Sequence, residues 1–516
     1  MSLPLKFNVA GPCFPDEHYM LPPLDRLPGI VPLVEGRNYF VLHAARQSGK
    51  TTAIQTLVNV LNAKGDMLAL YFSLESAQAF AEPAAGIAKI ISSLRSDLLD
   101  HPVFSAVAEQ TDPQSVSLKR FLTLLAKAAA PKPLAIFFDE ADALSDGTLI
   151  TFLRELRDGY VSRKIAPFPA SVALVGMRNI RDYKARVRPD SHTLGSASPF
   201  NIVTEALTLA TFTEDDIRAL YAQHTAATGQ VFTPEAVSAA YALTRGQPWL
   251  VNALARECVE KIHAFRFDEP VTEADILAAK ETLIRARGTH VDSLMERLKE
   301  ERVRHVVEPV ILGDRPDVSV NSDDYQYVLD LGLLREEKGA LLPANPMYGE
   351  IILRYLSADQ QAAFARAYPT PFWLRPDGTL DMPLLMARFQ EFWRENSGSA
   401  REIYGYRESL PQLVLMAYLQ RVVNGGGRIL REMALGSMRL DLCVEYGPNR
   451  YAVELKMKRN YRDPASLDQF AAYLDHLGLP EGWMPVFDES KDTPWSEKLY
   501  TRTLSRNGKT IHVVGL

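Results

Sequence analysis

The segment that most constrains the fold is a loop of small residues between an apolar run and a helical pattern. The apolar run is Tyr39–His43, and the chain continues as Ala44-Ala45-Arg46-Gln47-Ser48-Gly49-Lys50-Thr51-Thr52. The spacing is that of GxxxxGK[ST], with Ala44 in place of the first glycine. In this motif, backbone N–H groups and a helix N-terminus face phosphate groups. Lys50 would then reach the β- and γ-phosphates, and the Thr51 hydroxyl would bind Mg²⁺.

A second motif favours this interpretation over an accidental Gly-Lys-Thr at a helix start. Leu134–Phe138 is an apolar run that ends in Asp139 and Glu140. Asp139 in this place would hold Mg²⁺. Glu140 would polarise an attacking water, because a general base must lie within hydrogen-bond reach of the proton that it takes. The alternative is a strand end with two solvated acids. Together, the two motifs indicate a nucleotide site.

Short apolar runs alternate with helical patterns over the first 210 residues. Uniformly apolar runs are typical of parallel strands that are buried on both faces. After Leu209 the pattern becomes helical, with helix starts predicted at Thr213 and at Thr233-Pro234. The sequence therefore predicts an α/β fold, a parallel sheet covered by helices, followed by a helical region. The apolar runs are Tyr39–His43, Met67–Phe72, Leu134–Phe138 and Val172–Val175.

Composition limits the class of protein. The 516 residues are 47% hydrophobic and 23% charged with a net charge of −6, which excludes a disordered or collagen-like chain. Cys13, Cys258 and Cys443 form no CxxC pair, so neither a disulfide framework nor a thiolate zinc site is expected. No signal-peptide pattern and no apolar run of membrane-spanning length is present in the sequence. We expect a cytoplasmic protein of several domains without a membrane partner.

The two motifs resemble those of AAA-like/STAND-type P-loop ATPases, particularly the group centred on archaeal ATPases. The similarity runs from about 7 to 355 and includes Ala45–Thr51, Phe138–Asp142, Val175–Arg178 and Gly246–Pro248. It implies ATP and Mg²⁺ as cofactors, a catalytic Glu140, and metal ligands at Thr51 and Asp139. Arg178 would sense the γ-phosphate; the alternative is a solvated arginine at a strand end. The implied nucleotide-binding residues are Ala45, Arg46, Gln47, Ser48, Gly49, Lys50, Thr51, Thr52, Asp139 and Arg178.

The region after the helical lid is similar to the winged-helix module of these ATPases. Its helix at the recognition position would carry Asp323, Asp324 and Asp330, which argues against contact with phosphates. We expect a packing element and not a DNA reader. The resemblance also implies assembly into a homo-oligomer, with Arg154 or Arg157 as the arginine finger.

A hairpin near the C-terminus carries two acids and a lysine. A turn at Gly447–Arg450 would pair Tyr446 with Tyr451, which sets Asp441 opposite Lys456. Alternation then puts Asp441, Cys443 and Glu445 on one face with Ala452, Glu454 and Lys456, and leaves one buried apolar face. Two carboxylates beside an ammonium suit a metal-dependent phosphodiesterase, because the acids hold Mg²⁺ or Mn²⁺ and the lysine positions water. The alternative is a cross-strand salt bridge on an exposed face.

This arrangement resembles the PD-(D/E)XK nuclease superfamily over about 382–514. Asp441 matches the first acid, Glu454-Leu455-Lys456 matches (D/E)XK, and Gln469 matches a glutamine on the following helix. The resemblance makes Asp441, Glu454, Lys456 and Gln469 catalytic, with Asp441 and Glu454 as metal ligands. Glu408 matches an auxiliary acid. Nearby cations favour a phosphate-bearing substrate, and they are Lys456, Lys458, Arg459 and Arg462.

We therefore expect an ATP-binding and ATP-hydrolysing protein coupled to a Mg²⁺-dependent nuclease that acts on DNA or RNA. Defence against foreign DNA is one expected role. The alternatives are a STAND-type switch whose C-terminal domain binds nucleic acid or protein without cleaving, and an ATPase that remodels proteins. The expected domains are a lead-in (1–37), an ATPase core (38–210), a helical lid (211–287), a winged-helix-like module (288–368) and a restriction-endonuclease-like α/β domain (369–516).

Overall fold

The structure, a computed structural model, describes most of the chain and divides it into two units. Unit 1 comprises Met1–Val303 and Val318–Tyr348, and unit 2 comprises Arg304–Asp317 and Gly349–Leu516. The predicted domain boundaries stay predictions. The described residues are 5–177, 202–286, 289–312, 316–320, 322–356, 372–404, 410–423, 427–435, 438–458, 464–488, 490 and 493–516.

Unit 1 contains a parallel sheet of five strands in the order β2-β3-β4-β1-β5. The central strands β3 and β4 are buried along their whole length, as the uniformly apolar runs predict. The sequence missed β5, an edge strand whose side chains are mostly exposed and which therefore lacks an apolar run. The strands are β1 (Tyr39–His43), β2 (Leu68–Ser73), β3 (Leu134–Asp139), β4 (Ser171–Gly176) and β5 (Val203–Thr208).

Helices pack on both faces of this sheet. One hydrophobic cluster joins the sheet to α3, α5 and α6 through residues such as Leu94, Leu122 and Phe152. A second cluster joins the sheet to α1 through Val34 and to α2 through Ile54. The α/β prediction for this region is confirmed. The helices are α1 (Ile30–Glu35), α2 (Lys50–Lys64), α3 (Pro83–Leu98), α4 (Ser105–Gln110), α5 (Leu118–Ala129) and α6 (Asp146–Ser162).

A helical region follows the sheet. Thr213 caps α7 through a capping box with Asp216, and Thr233 caps α8 with Pro234 at its first position, so both predicted helix starts are confirmed. The lead-in packs against this region, because Phe7 lies in ring contact with Tyr221. The helices are α7 (Glu214–Thr228), α8 (Pro234–Thr244), α9 (Pro248–Arg256) and α10 (Glu273–Ala286).

The next segment contains a short antiparallel hairpin. Its strands pair Leu334 with Pro343 and Glu337 with Ala340. The elements are α11 (Thr289–Arg297), α12 (Glu301–Leu312), α13 (Asp323–Asp330), β6 (Leu334–Glu337), β7 (Ala340–Pro343) and α14 (Pro346–Leu356).

Unit 2 contains a mixed sheet in the order β13-β14-β12-β10-β9-β8, with β11 paired to β12. The strands β10, β12 and β14 are parallel, whereas β8-β9-β10 and β13-β14 are antiparallel. The elements are α15 (Met382–Tyr404), α16 (Leu410–Val423), β8 (Gly427–Leu435), β9 (Met438–Tyr446), β10 (Asn449–Val453), β11 (Lys456–Met457), α17 (Pro464–His476), β12 (Glu481–Phe487), α18 (Trp495–Lys498), β13 (Thr501–Arg506) and β14 (Lys509–Gly515).

The predicted register of the β9–β10 hairpin is wrong by two residues. Tyr446 pairs with Asn449 and Leu442 with Val453, because the turn closes over two residues and Gly447 adopts a positive φ of 54°. Asp441 immediately precedes Leu442, the partner of Val453. Continuing this register sets Asp441 opposite Glu454 and not opposite Lys456. A shift of two keeps every residue on its predicted face.

The prediction of a single buried face is also wrong. Cys443 and Ala452 are buried in a cluster with Phe470 and Tyr473 of α17, while Leu442, Val444 and Val453 of the opposite face are buried too. Helix α16 also packs against β8 and β9. The hairpin is therefore an internal part of a covered sheet. No helix in the described part of the chain is long and apolar enough to cross a membrane.

Gly246 provides a test of the packing in the helical region. It has a φ of 74°, and a Cβ at this position would lie 1.7 Å from the carbonyl oxygen of Phe212. We expect Gly246→Ala to lower the free energy of unfolding of unit 1 by about 3 kcal/mol. Urea denaturation of the full chain, followed by circular dichroism, measures the loss.

Gly229→Ala is the matched control. Gly229 also has a positive φ, 85°, but nothing lies within 4 Å of a Cβ there. Only the strain of a left-handed alanine remains, about 1 kcal/mol. Equal losses in the two variants would contradict the close approach at Phe212.

Candidate nucleotide site and carboxylate–lysine site

The predicted phosphate-binding loop lies between β1 and α2. Gly49 immediately precedes α2 with a φ of 94°, a conformation that glycine adopts without a Cβ penalty. The first turn of α2 therefore follows directly from the loop, and its free N–H groups form a site for an anion. The departure at Ala44 does not disturb this geometry, because its methyl group is buried in the hydrophobic cluster below the loop and its N–H donates to Gly176 O at 3.2 Å.

Lys50 is buried beneath the loop, with 7% of its surface exposed. Its Nζ donates to the carbonyl oxygens of Ala44 at 2.9 Å and Ala45 at 3.1 Å. Burial lowers the pKa of Lys50, and the nearby Glu140, Asp142 and Asp139 carboxylates oppose this shift. The ammonium group is thus held at the loop by two backbone acceptors and a negative surrounding.

Thr51 and Asp139, the two predicted metal ligands in this unit, lie in direct contact. Thr51 Oγ1 donates to Asp139 Oδ2 at 2.7 Å, and the Tyr71 hydroxyl donates to the same oxygen at 3.1 Å. The backbone N–H of Glu140 donates to Asp139 Oδ1 at 2.9 Å. Asp139 is 1% exposed. A hydroxyl and a carboxylate are hard oxygen ligands of the kind that Mg²⁺ prefers.

Glu140 follows directly in a left-handed backbone conformation, with a φ of 55°. Burial and, after it, the neighbouring Asp139 carboxylate raise the pKa of Glu140, while Lys50 opposes the rise. A carboxylate with a raised pKa accepts a proton more readily near neutral pH. Glu140 therefore has the environment of a general base at the end of β3.

The remaining loop residues have separate partners. Arg46 Nη1 donates to Ser293 Oγ at 2.6 Å, the carbonyl oxygen of Gln47 accepts from the Gln247 side chain at 3.4 Å, and Thr52 Oγ1 accepts from the backbone of Cys13 at 3.0 Å. The hydroxyl of Ser48 is buried without a hydrogen-bond partner among the described residues. An orphaned hydroxyl in this loop fits a site that receives a polar ligand.

Sequence reasoning missed Arg26, which binds the backbone of the phosphate-binding loop. Its Nη2 donates to the carbonyl oxygen of Ser48 at 2.8 Å and its Nε to that of Ala210 at 2.7 Å. The guanidinium lies 4.7 Å from the centroid of the Phe212 ring. Burial lowers the pKa of Arg26 to about 10. Arg26 lies in the lead-in outside any motif, so no sequence signal marked it.

The two candidate arginine fingers lie on α6, where Arg154 is exposed and Arg157 half-buried. Arg178 lies outside the described residues. Its sensor role therefore stays a prediction.

In unit 2, Glu454 and Lys456 form an ion pair between Oε1 and Nζ at 2.9 Å. Glu454 is 3% exposed, and its backbone N–H donates to Trp483 O on β12. The alternative interpretation was a cross-strand salt bridge on an exposed hairpin face, whereas Glu454 and Lys456 are two residues apart in the chain. The burial of Glu454 contradicts that placement.

Other predicted members of the carboxylate–lysine site are placed less fully. Gln469 is exposed on α17 and its side chain donates to the Tyr473 hydroxyl. Asp441 lies on β9, but its side chain is outside the described residues, as are Glu408, Arg459 and Arg462. Where side chains are described, no three His, Cys, Asp or Glu residues gather as a metal-binding group.

A comparison with protein families covers the part of the chain that contains the first site. Residues 34–183 match the model of a protein family described as an AAA domain. The chain contains an AAA-type P-loop ATPase domain. This confirms the general resemblance drawn from the two motifs and the expected α/β core with a parallel sheet. The narrower STAND-type affinity and the nuclease resemblance stay predictions.

Several solved structures are similar to the chain at low sequence identity. A Walker-type ATPase of Pyrococcus abyssi has a TM-score of 0.48 at 12% identity, covering 67% of this chain and 99% of its own. The Thermotoga maritima RuvB Holliday junction branch migration motor has a TM-score of 0.35 at 14% identity, and the match covers 63% of this chain and 95% of that one. Cdc6p of Pyrobaculum aerophilum has a TM-score of 0.34 at 15% identity, and the match covers 65% of this chain and 93% of that one. No curated protein sequence matches the chain significantly.

The ion pair in unit 2 allows a test by stability. We expect Lys456→Met to lower the free energy of unfolding of unit 2 by about 2–3 kcal/mol, because Glu454 would lose its charged donor inside the protein. Urea denaturation of the full chain, followed by tryptophan fluorescence, measures the loss.

Arg388→Met is the control, since Arg388 pairs with Glu391 at 2.7 Å with both side chains nearly half exposed. An exposed pair contributes about 0–1 kcal/mol. A loss for Lys456→Met no larger than that of the control would mean that the Glu454 pair is effectively solvated.

Proposed function

We propose that the AAA-type domain of unit 1 binds and hydrolyses ATP at the loop between β1 and α2. The observation that carries this proposal is the contact between Thr51 and Asp139 at 2.7 Å, beside the buried Lys50 and the half-buried Glu140. The loop N–H groups and Lys50 would bind the phosphates. Thr51 and Asp139 would hold Mg²⁺, which would neutralise phosphate charge when bound.

Glu140 would act on the attacking water. Its raised pKa and its position after Asp139 suit an acceptor of the water proton. Lys50, next to this carboxylate in the same buried surrounding, would stabilise the negative charge that develops on the transferred phosphoryl group. Binding and proton transfer thus depend on different side chains, which mutation can separate.

Glu140→Gln should bind ATP with wild-type affinity but lower kcat for hydrolysis about 100-fold or more, because the amide keeps the shape and loses the base. Below the raised pKa of Glu140 the carboxylate takes up a proton. As the pH is lowered, wild-type activity should therefore begin to fall at a higher pH than it would with an ordinary glutamate as the base, whose pKa is about 4.3. Phosphate release and fluorescent-nucleotide binding measure the two quantities.

Lys50→Ala serves as the contrasting variant, because it should weaken ATP binding as well as hydrolysis. Unchanged turnover in purified Lys50→Ala protein would refute the nucleotide site. Unchanged kcat in Glu140→Gln would refute the base.

We further propose that unit 2 is a metal-dependent nuclease of the PD-(D/E)XK type whose cleavage of DNA depends on the nucleotide state of unit 1. The observation that favours it is the buried Glu454 with Lys456 Nζ at 2.9 Å. Glu454 follows the last residue of β10, Val453, which pairs with Leu442 of β9, and Asp441 is the residue before Leu442. Burying an acid is costly unless a partner or a ligand compensates it. A buried carboxylate beside a lysine is therefore a candidate functional site.

Each residue of the proposed nuclease would have a distinct role. Asp441 and Glu454 would hold Mg²⁺ or Mn²⁺, which would polarise a phosphodiester. Lys456 would orient the attacking water and stabilise developing negative charge, and Gln469 would contact the water or the substrate. Defence against foreign DNA is a biological setting in which ATP-controlled cleavage would serve.

Glu454→Gln, Asp441→Asn and Lys456→Ala should each abolish DNA cleavage and leave ATP turnover within about twofold of wild type. All three substituted residues belong to unit 2, so every side chain of the ATP site in unit 1 is unchanged. The measurement is cleavage of plasmid and single-stranded DNA, and of RNA, with Mg²⁺ or Mn²⁺ and with or without ATP.

The matched control is Glu391→Gln, which makes the same chemical change at a half-exposed acid of unit 2; it should cleave like wild type. Metal-dependent cleavage that survives Glu454→Gln would refute the proposed site. Absence of cleavage by the wild type on every substrate would instead favour a switch whose C-terminal domain binds nucleic acid or protein without cutting.

A further inference from the structure

We infer that Tyr71 is a positioning residue of the ATPase site, which holds the Asp139 carboxylate in the orientation that receives the magnesium–nucleotide complex. The inference rests on the proposed function of the loop between β1 and α2. It assigns a role to a β2 side chain that belongs to neither sequence motif.

The sheet register explains how Tyr71 reaches the site. Ser73 pairs with Asp139, and Tyr71, two residues earlier, pairs with Phe137. Because side chains alternate along a strand, Tyr71 and Asp139 lie on the same face of the sheet. The ring of Tyr71 packs against the hydrophobic cluster below α2. This packing aims the hydroxyl along the strand, 3.1 Å from Asp139 Oδ2.

The hydrogen bonds of Asp139 show what Tyr71 contributes. An ionised carboxylate has about four acceptor positions, two on each oxygen. Oδ2 accepts from Thr51 and Tyr71, and Oδ1 accepts from the backbone N–H of Glu140. Protein donors therefore occupy both positions on Oδ2. The carboxylate is fixed in a plane that faces the Thr51 hydroxyl, and Tyr71 is the side chain that prevents its rotation away from it.

The Tyr71 hydroxyl donates to Asp139 as a neutral phenol, because a tyrosine hydroxyl ordinarily keeps its proton at physiological pH. A neutral hydroxyl also stabilises the Asp139 charge without offering a positive charge that would repel a cation. The hydroxyl thus supports a metal ligand in the way that outer-shell donors support metal sites.

Tyr71→Phe removes this hydrogen bond and keeps the ring. Loss of an outer-shell partner typically lowers metal affinity or activity about 10–100-fold. In the full chain, we expect the gain in affinity for a fluorescent ADP analogue on adding Mg²⁺ to shrink about tenfold. The affinity for the ADP analogue without Mg²⁺ should change less than about twofold. The Mg²⁺ concentration that gives half-maximal ATP hydrolysis should rise about tenfold, the same factor by which the Mg²⁺ effect on ADP binding decreases.

Tyr39→Phe is the matched control from the same sheet. The Tyr39 hydroxyl is buried on β1 and donates to Pro169 O at 2.8 Å, away from Asp139. This variant should lose stability on heating but keep the wild-type Mg²⁺ effect on ADP binding. A purely structural Tyr71 would behave in the same way.

An unchanged Mg²⁺ effect in Tyr71→Phe would overturn the inference. A loss of ADP affinity in Tyr71→Phe that is equal with and without Mg²⁺ would overturn it too, since it would show a general disturbance of the loop. If the wild type binds ADP more tightly with Mg²⁺ but does not hydrolyse ATP, the proposed hydrolysis fails, while the binding measurement still decides the role of Tyr71.

Discussion

The hydrogen bond from Thr51 to Asp139 connects the start of α2, which follows β1, with the end of β3. These two strands are distant in the sequence and not adjacent in the sheet. Strand β4 lies between β1 and β3, so the contact exists only if the strands adopt this order with their carboxyl ends at one edge. Parallel strands satisfy that condition, and ligand sites of open α/β sheets lie at this edge. Lys50 follows β1 through the loop, Glu140 follows β3, and Tyr71 lies on β2, which pairs with β3.

Buried charge characterises both candidate sites. Lys50, Asp139 and Glu454 each lie almost wholly inside the protein, where an unpaired ion would be costly. Backbone carbonyls hold Lys50, two hydroxyls and an N–H hold Asp139, and an ammonium group holds Glu454. These partners orient the side chains as well as offset the cost of burial. A buried, oriented carboxylate beside a cation is an arrangement that stability alone seldom requires.

In the β9–β10 hairpin of unit 2, the alternation of residue types predicts the faces of the strands but not their pairing. Alternation predicted the faces of Leu442, Cys443, Val444, Ala452 and Val453, because a period of two survives a shift of two. It could not predict the pairing, because both a two-residue and a four-residue turn fit Gly447–Arg450. Nor could it predict that α17 would cover the face of Cys443 and Ala452, because covering depends on a helix that folds back from later in the chain.

Local features of the chain were sufficient for the strand, loop and helix around Gly49, for the acids at the end of β3, and for the helix starts at Thr213 and Thr233. Each depends on interactions within a few residues: backbone conformation, capping and the burial of a continuous apolar run. The contacts of Arg26 and Tyr71, the edge strand β5 and the burial of Glu454 depended on the folded arrangement. They join segments far apart in the sequence, and such pairings arise only when the sheet order brings their strands and loops together.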